Sequence, residues 1–178
     1  MVAAAADLLE SEGFDAVSHR AVARIAGVPL GSTTYYFASL DDLRAAAASA
    51  LAQRWVRRMA RAADAVREGT YDPAEAGRRI ARAVLPGDRR AVLSEYEQLL
   101  AAARHPAVAT VLREMRPAFV QVIDDLLIRT GWAGRVRSDV VLAVLDGAAV
   151  SALSEGRADV REFGAGLLAE LLGTVGRS

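Results

Sequence analysis

The 178-residue sequence contains no cysteine and no lysine, and aromatic residues make up only 6% of it. Without cysteine the chain can form neither a disulfide nor a thiolate metal site, which is consistent with a reducing compartment. No apolar run approaches the roughly 18–20 residues that cross a bilayer. The first residues lack the basic segment of a signal peptide and become acidic early, so we expect a cytoplasmic protein.

Groups that could perform catalysis are equally scarce. The only two histidines, His19 and His105, lie far apart in the sequence, and no His-Glu-x-x-His spacing suggests a metal site. Ser151 and Ser154 lie on an apolar pattern without a basic partner, which argues against a nucleophilic serine. No glycine-rich phosphate loop follows a strand pattern. We therefore expect no metal, no cofactor and no enzymatic activity, and an all-α enzyme ranks last among the alternatives.

The chain instead contains helical patterning from end to end. Hydrophobic residues make up 53% of it and charged residues 25%, which is the composition of a globular protein with a buried core. Apolar residues recur at helical spacing, and no stretch reads as a strand. We predict an all-α fold of about nine helices. They cover approximately residues 3–12, 19–26, 30–37, 40–68, 73–85, 89–104, 106–130, 139–154 and 160–174.

Capping residues mark several of the predicted helix ends. Serine and aspartate side chains accept hydrogen bonds from the free N–H groups at a helix start, and glycine is common just after a helix end. Gly13 and Gly27 are predicted to end the first two helices. The predicted N-terminal caps are Ser18, Ser39, Asp88, Ser138 and Asp159.

Residues 18–37 have the form of a helix-turn-helix, with one helix, a tight turn and a second short helix. The second helix is rich in hydroxyl groups, which can donate to phosphates or contact base edges, and Gly31 would allow a duplex to approach closely. Arg20, in the first turn of the first helix, could reach a guanine edge or a phosphate. The alternative is a helical pair with Tyr35 and Phe37 in a core, and spacing alone does not decide between the two.

The charge of this region argues against nucleic-acid binding. Residues 1–44 carry three arginines against six carboxylates, a formal charge of −3, whereas the whole chain has 22 of each sign. The basic footprint of a nucleic-acid-binding protein is therefore missing. Any DNA contact made here must depend on a few well-placed groups and on helix N-termini.

Between residues 13 and 43 a set of motifs occurs at fixed spacing without a gap. The set comprises Gly13-Phe14, Ser18, Ala23, Ile25-Ala26-Gly27-Val28, Gly31-Ser32, Tyr36-Phe37 and Asp42-Leu43. It resembles the N-terminal domain of the TetR family of transcriptional regulators over about residues 3–44. Residues 95–106 also resemble one subgroup of the family's C-terminal domains. The resemblance implies a helix-turn-helix DNA-binding domain at 1–44 and a ligand-binding and dimerisation domain at 45–178.

The same resemblance implies which residues contact double-stranded operator DNA. They are Ser18, His19 and Arg20 on the second helix and Leu30, Gly31, Ser32, Thr33, Tyr35 and Tyr36 on the third. Two positions depart from the family pattern. Leu40 stands where the family often has a lysine that holds a phosphate, and Thr34 stands where it often has the first tyrosine of the third helix.

The last two predicted helices, within about residues 138–175, are unusually apolar. The resemblance implies a homodimer in which these helices form a four-helix bundle with those of a second copy. Their small residues, Gly147, Ala148, Gly164 and Gly166, would allow close approach of helices. The alternative is an ordinary core within one chain.

The resemblance also implies a small-molecule site within helices four to eight. The large apolar and aromatic residues of these helices are the candidate contacts. They are Trp55, Met59, Tyr96, Leu99, Met115, Phe119 and Trp132. For each residue taken alone, packing in the core is the alternative role.

Two functional hypotheses follow. The first is a ligand-responsive transcriptional regulator, most simply a repressor, that binds palindromic operator DNA as a homodimer and is released by a small-molecule effector. The second is a dimeric helical ligand-binding or scaffold protein whose DNA binding is weakened or lost. The acidic balance of residues 1–44, Leu40 and the lack of a basic arm ahead of the first helix favour the second hypothesis.

Overall fold

The structure is a computed structural model that describes residues 1–176, and within that range it contains helices and no strand. The prediction of an all-α fold is therefore confirmed. The helices are α1 (Val2–Glu12), α2 (His19–Ala26), α3 (Leu30–Tyr36), α4 (Leu40–Asp64), α5 (Pro73–Val84), α6 (Arg89–Ala101), α7 (Pro106–Thr130), α8 (Ser138–Ser154) and α9 (Val160–Val175). No helix among these described residues is both long enough and apolar enough to span a bilayer.

Three of the predicted N-terminal caps are confirmed. The Ser18 hydroxyl accepts from the backbone N–H of Ala21 at 3.2 Å, and the Ser39 hydroxyl accepts from that of Asp42 at 3.0 Å. The Asp88 carboxylate accepts from the third residue after it at 2.9 Å. Each bond satisfies an N–H group that has no partner inside its own helix.

The two predicted terminating glycines are also confirmed. Gly13 has a φ of +85°, and its N–H donates to Leu9 O at 3.0 Å. Gly27 lies in the left-handed region at a φ of +64° and ends α2. A residue with a Cβ atom would be strained at either position, so glycine suits both turns.

Two predicted caps do not make the expected cap bond, in each case because another group competes for the side chain. Ser138 is the first residue of α8 rather than its cap, and its hydroxyl donates to the Asp124 carboxylate. Asp159 precedes α9 as predicted, but it makes no side-chain cap bond. Its carboxylate instead accepts from the guanidinium of Arg157 at 2.9 and 3.1 Å.

Helix α4 is shorter than predicted and ends at Asp64 instead of residue 68. The backbone after α4 bonds to the C-terminus of α7 instead. Gly69 N–H donates to Arg129 O at 3.0 Å, and Tyr71 N–H donates to Thr130 O at 3.3 Å. The last carbonyls of α7 lack partners within their own helix, so these bonds replace a further turn of α4. The sequence around residue 64 does not show where α4 ends, because the bonding partners lie about sixty residues away.

The chain divides into two compact units. The first contains residues 1–55 and 94–116, and the second contains residues 56–93 and those from 117 onward. In the first unit α1 contacts α2, and α2 contacts α3. Arg54 Nη1 lies 2.6 Å from the Asp7 carboxylate, and the Ser94 hydroxyl donates to Glu10 O at 2.9 Å. These contacts place residues beyond 44 in the same compact unit as the N-terminal helices.

The second unit is built on close packing of α9 against α5 and α8. A Cβ atom on Gly77 would lie 2.6 Å from Ala165 O, so the backbones of α5 and α9 touch at this point. A Cβ atom on Gly164 would contact Leu145 and Ala148 of α8 at 3.4 and 3.6 Å. Gly164 and Ala148 therefore pack within one chain.

Candidate nucleic-acid interface and ligand-binding residues

The first turn of α2 carries three of the predicted DNA-contacting residues. Ser18 uses an oxygen lone pair for its cap, which leaves its O–H free to donate to another acceptor. Arg20 is exposed and makes no ion pair with any residue in the described range. His19 is half-buried, and its Nδ1 atom is buried without a hydrogen-bond partner there. The turn therefore presents one free cation and one hydroxyl donor.

Helix α3 exposes large side chains that a folded chain normally buries. Tyr35 is 83% exposed and Tyr36 67% exposed, and their rings meet edge to face at 5.2 Å between centroids. Leu30 is also exposed, and Gly31 has open space where a Cβ atom would stand. A cluster of exposed aromatic and apolar groups on one short helix is typical of a binding surface. The alternative in which Tyr35 belongs to a core is wrong.

Thr33 differs from the other predicted contacts on α3, because its side chain is completely buried. Its hydroxyl donates to Leu30 O at 2.8 Å, which satisfies the group inside the unit. Since α3 packs on α2, one of its faces must point inward, and Thr33 lies on that face. Ser32 is half-buried. The exposed surface of α3 thus excludes Thr33.

Two further arginines of the first unit were not among the predicted contacts. Arg24 is exposed and follows Arg20 by one helical turn, so both lie on one side of α2. Arg44, on the second turn of α4, is half-buried, and its Nε atom has no hydrogen-bond partner among the described residues. The i, i+4 spacing of Arg20 and Arg24 is the sequence signal that could have identified Arg24.

Part of the acidic charge near the N-terminus is compensated from outside residues 1–44. Arg54 pairs with Asp7 at 2.6 Å and with Glu10 at 3.3 Å. Its hydrogen bond to Asp7 is the main cause that raises the pKa of Arg54 above its ordinary value. The first unit as a whole still carries nine carboxylates against seven arginines. Its charge remains slightly negative.

The seven predicted ligand-binding residues are divided between the two units. Trp55, Tyr96, Leu99 and Met115 belong to the first unit, and Met59, Phe119 and Trp132 belong to the second. Four of them are buried, namely Trp55, Met59, Tyr96 and Trp132. The other three are half-buried.

Trp132 has a clear packing role in the second unit. Its indole N–H donates to Tyr71 O at 3.0 Å, and its ring lies where a Cβ atom on Gly176 would touch it at 3.0 Å. The residue therefore joins the end of α9 to the segment before α5.

A buried polar residue of the first unit, Gln98, was not predicted and carries no apolar signal in the sequence.

Helix α8 presents an uncovered face of small and apolar residues, and α9 presents one on which the exposed Glu170 lies among small and apolar residues. On α8 it comprises Val140, Ala143, Val144, Gly147, Val150, Ser151 and Ser154, all of which are exposed or half-buried. On α9, Gly166 and Gly173 have open space where a Cβ atom would stand, and Leu167 and Leu171 are half-buried. We call these two faces together the α8–α9 stripe. No charged residue belongs to its α8 part.

The described residues contain no group of three or more histidine, aspartate or glutamate side chains that could hold a metal ion. The candidate surfaces therefore offer hydrogen-bond donors, a few cations and apolar area. These groups can bind a ligand or a macromolecule.

Comparison with known proteins gives matches over nearly the whole chain. Residues 1–47 match the model of bacterial regulatory proteins of the tetR family, and residues 68–174 match the tetracyclin repressor-like C-terminal domain. Among solved structures, the multidrug binding protein EbrR complexed with proflavin is 33% identical, with a TM-score of 0.67 and coverage of 98% of this chain and 96% of that chain. EbrR was also crystallised with ethidium.

Two further structures are similar. The TetR-family member SCO1917 of Streptomyces coelicolor A3 is 32% identical, with a TM-score of 0.62 and coverage of 98% of this chain and 94% of that chain. A transcriptional regulator from Rhodococcus sp. Rha1 is 25% identical, with a TM-score of 0.67 and coverage of 99% and 94%. No curated protein matches the chain. The two domain matches and these structures show that the chain belongs to the TetR family of bacterial transcriptional regulators, which bind DNA and are not enzymes.

Proposed function

We propose that this TetR-family regulator is a cytoplasmic repressor that binds a two-fold operator as a homodimer and leaves it when a small-molecule effector binds. The observation that carries the proposal is the exposed surface formed by Arg20, Leu30, Tyr35 and Tyr36 on the helix-turn-helix. These side chains have no covering partner in the described chain. A major groove accepts a helix of this kind.

Each exposed group of this surface has a role that its chemistry supports. The Arg20 guanidinium contacts a guanine edge or a phosphate, and the tyrosine hydroxyls contact the DNA backbone. Gly31 allows the duplex to approach α3, because no neighbour and no side chain stands there. Ser18 donates its free O–H to a phosphate. His19 and Ser32 remain proposed contacts, and Thr33 is left out because it is buried.

The α8–α9 stripe supports the homodimer. Three helical glycines on it, Gly147, Gly166 and Gly173, face open space. Glycine inside a helix costs up to about 1 kcal/mol relative to alanine, and close approach of another helix is a reason to retain it. A second copy that brings the same stripe would cover the exposed Val140 and Val150 and form a closed two-fold dimer.

The effector is proposed to be an aromatic small molecule. EbrR, a relative of comparable length, was solved with proflavin and with ethidium. Two of the predicted ligand contacts in the first unit, Trp55 and Tyr96, are aromatic and buried. Aromatic side chains favour stacking with aromatic ligands.

The second candidate function, a dimeric ligand-binding protein with weakened DNA binding, rests on one observation. The first unit carries more carboxylates than arginines, which disfavours approach to a polyanion.

An electrophoretic shift on the DNA that flanks the protein's own gene separates the two functions. The first function predicts a specific shift that Arg20→Ala weakens by about 1–3 kcal/mol. Arg90→Ala is the matched control, because Arg90 is an exposed arginine of the second unit without an ion pair in the described range. A specific shift that Arg20→Ala leaves intact rejects the contact assignment, and the absence of any specific shift at modest salt favours the second function.

A further inference from the structure

A basic groove lies on the second unit, between the C-terminal part of α4 and helix α5. Its volume is about 340 Å³, within the range of small-molecule sites. Small and apolar residues form part of its wall, and charged residues of α5 form the rest. The lining residues are Ala62, Ala65, Val66, Glu75, Arg78, Arg79, Arg82 and Ala83.

Positive charge is concentrated in the part of the sequence that builds this groove. Residues 57–90 contain nine arginines and five carboxylates, although the chain as a whole has equal numbers of each sign. The remaining residues carry thirteen arginines and seventeen carboxylates. The groove therefore lies in the most basic segment of a neutral chain, whereas the DNA-binding unit is slightly acidic.

One carboxylate holds two of the three guanidinium groups in the groove. Glu75 Oε2 accepts from Arg78 Nε at 3.0 Å and from its Nη2 at 2.8 Å, while Glu75 Oε1 lies 2.8 Å from Arg79 Nη2. The hydrogen bond from Arg78 is the main cause that lowers the pKa of Glu75. Arg82 follows one turn later and pairs with Glu162 at 3.3 Å. The lining residues together carry a net charge of +2.

Arg79 is fixed from a second direction. Its guanidinium lies 4.2 Å from the centroid of the Tyr71 ring, a distance that allows cation–π attraction. Its Nε atom is buried and has no hydrogen-bond partner among the described residues. An unpaired buried donor is unfavourable in an isolated chain.

Guanidinium groups held in this way match the oxygen geometry of phosphate. The planar fork of arginine donates two parallel hydrogen bonds to a phosphate or carboxylate, and three such groups with a net charge of +2 favour an anion with two or more charges. Ala62, Ala65 and Ala83, which we call the alanine wall, add an apolar surface without bulky side chains. We propose that the α4–α5 groove binds the phosphate group of an organic phosphate, with the apolar part of that ligand on the alanine wall.

Binding of inorganic pyrophosphate to the full-length protein, without DNA, tests this site. Isothermal titration calorimetry at low salt measures the binding. We expect one saturable site per chain, and the double substitution Arg78→Gln with Arg82→Gln should weaken it by about tenfold or more. Arg90→Gln, which removes an arginine outside the groove, should leave the affinity unchanged.

A second measurement identifies the source of the phosphate. Phosphatidylcholine vesicles that contain phosphatidic acid are sedimented with the wild-type protein and with the double variant. Binding to these vesicles that the double variant loses indicates a lipid headgroup, and binding to pyrophosphate alone indicates a soluble phosphate. The proposal is overturned if pyrophosphate does not bind saturably, or if the double variant and Arg90→Gln weaken its binding equally. Circular dichroism of each variant verifies that it is folded.

Discussion

Thr33 and Thr34 are adjacent residues with the same side chain, but they have opposite environments. Thr33 is fully buried and donates to Leu30 O, whereas Thr34 is exposed and donates to Gly31 O. The sequence predicts that α3 carries hydroxyl groups. It does not predict which of them point inward, because that depends on where α3 rests against α2. For the same reason Thr33 was predicted as a DNA contact and is removed from the proposed surface.

Tyr36 is exposed, so its substitution tests DNA contact without disturbing the core. We expect Tyr36→Phe to weaken operator binding by about 0.5–1.5 kcal/mol, because it removes one hydrogen bond to the DNA backbone and keeps the ring. Tyr36→Ala should weaken it further. Fluorescence anisotropy of labelled operator DNA measures both affinities. Equal binding by wild type and Tyr36→Phe would contradict the hydroxyl contact.

Arg54 links α4 to α1 through its two ion pairs, and it lies outside the predicted DNA-binding domain. Arg54→Ala should lower the free energy of unfolding by about 0.2–1 kcal/mol for each pair, since all three side chains are partly exposed. Urea denaturation measures the change. The control is Arg61→Ala, because Arg61 is an exposed arginine of the same helix without an ion-pair partner in the described range. An equal decrease in the free energy of unfolding for Arg61→Ala would show that the ion pairs of Arg54 contribute nothing.

At the scale of the helices, local signals predicted most ends correctly and failed where distant segments compete. The caps at Ser18, Ser39 and Asp88 depend on an N–H group three residues away, which the sequence shows directly. Ser138 was mispredicted because Asp124, fourteen residues earlier, accepts its hydroxyl. The contact of Gly77 with α9 was not predicted either, because the partner lies more than eighty residues away.

The close contact of α5 and α9 at Gly77 gives a sharp test of their packing. Gly77→Ala should destabilise the protein by about 1–3 kcal/mol, because the new Cβ atom would lie 2.6 Å from a backbone oxygen that cannot move alone. Gly31→Ala is the control. Gly31 is also helical and has open space around it, so alanine should leave stability unchanged or raise it by up to about 1 kcal/mol. Thermal unfolding compares the two, and equal stability of Gly77→Ala and wild type would refute the contact.

At the scale of the whole molecule, the chain combines a slightly acidic DNA-binding unit with a basic segment at residues 57–90. We expect a single first unit with so few cations to bind DNA weakly, because most of the non-specific affinity comes from phosphate neutralisation. In the proposed dimer, two such units would offset this weakness through effective concentration. The sequence composition predicted the negative charge of the DNA-binding region. The α8–α9 stripe is the surface through which we propose that two such regions are joined.

The stripe is tested by placing a charge on it. Gly166→Arg should leave each chain folded, because no neighbouring atom lies within 4 Å of the new Cβ atom, but it should prevent two stripes from meeting. Size-exclusion chromatography with light scattering should then show a monomer instead of a dimer. Ala133→Arg, at an exposed position outside the stripe, should remain dimeric. A dimeric Gly166→Arg protein would place the interface elsewhere.

The most direct test of a dimeric operator-binding regulator is the stoichiometry of its complex with DNA. Sedimentation velocity of the wild-type protein with the DNA that flanks its gene should reveal a specific complex with two chains per site, which a scrambled duplex does not form. Gly166→Arg should fail to form that complex at the same concentration. One chain per site, or equal binding to the scrambled duplex, would contradict the proposed function.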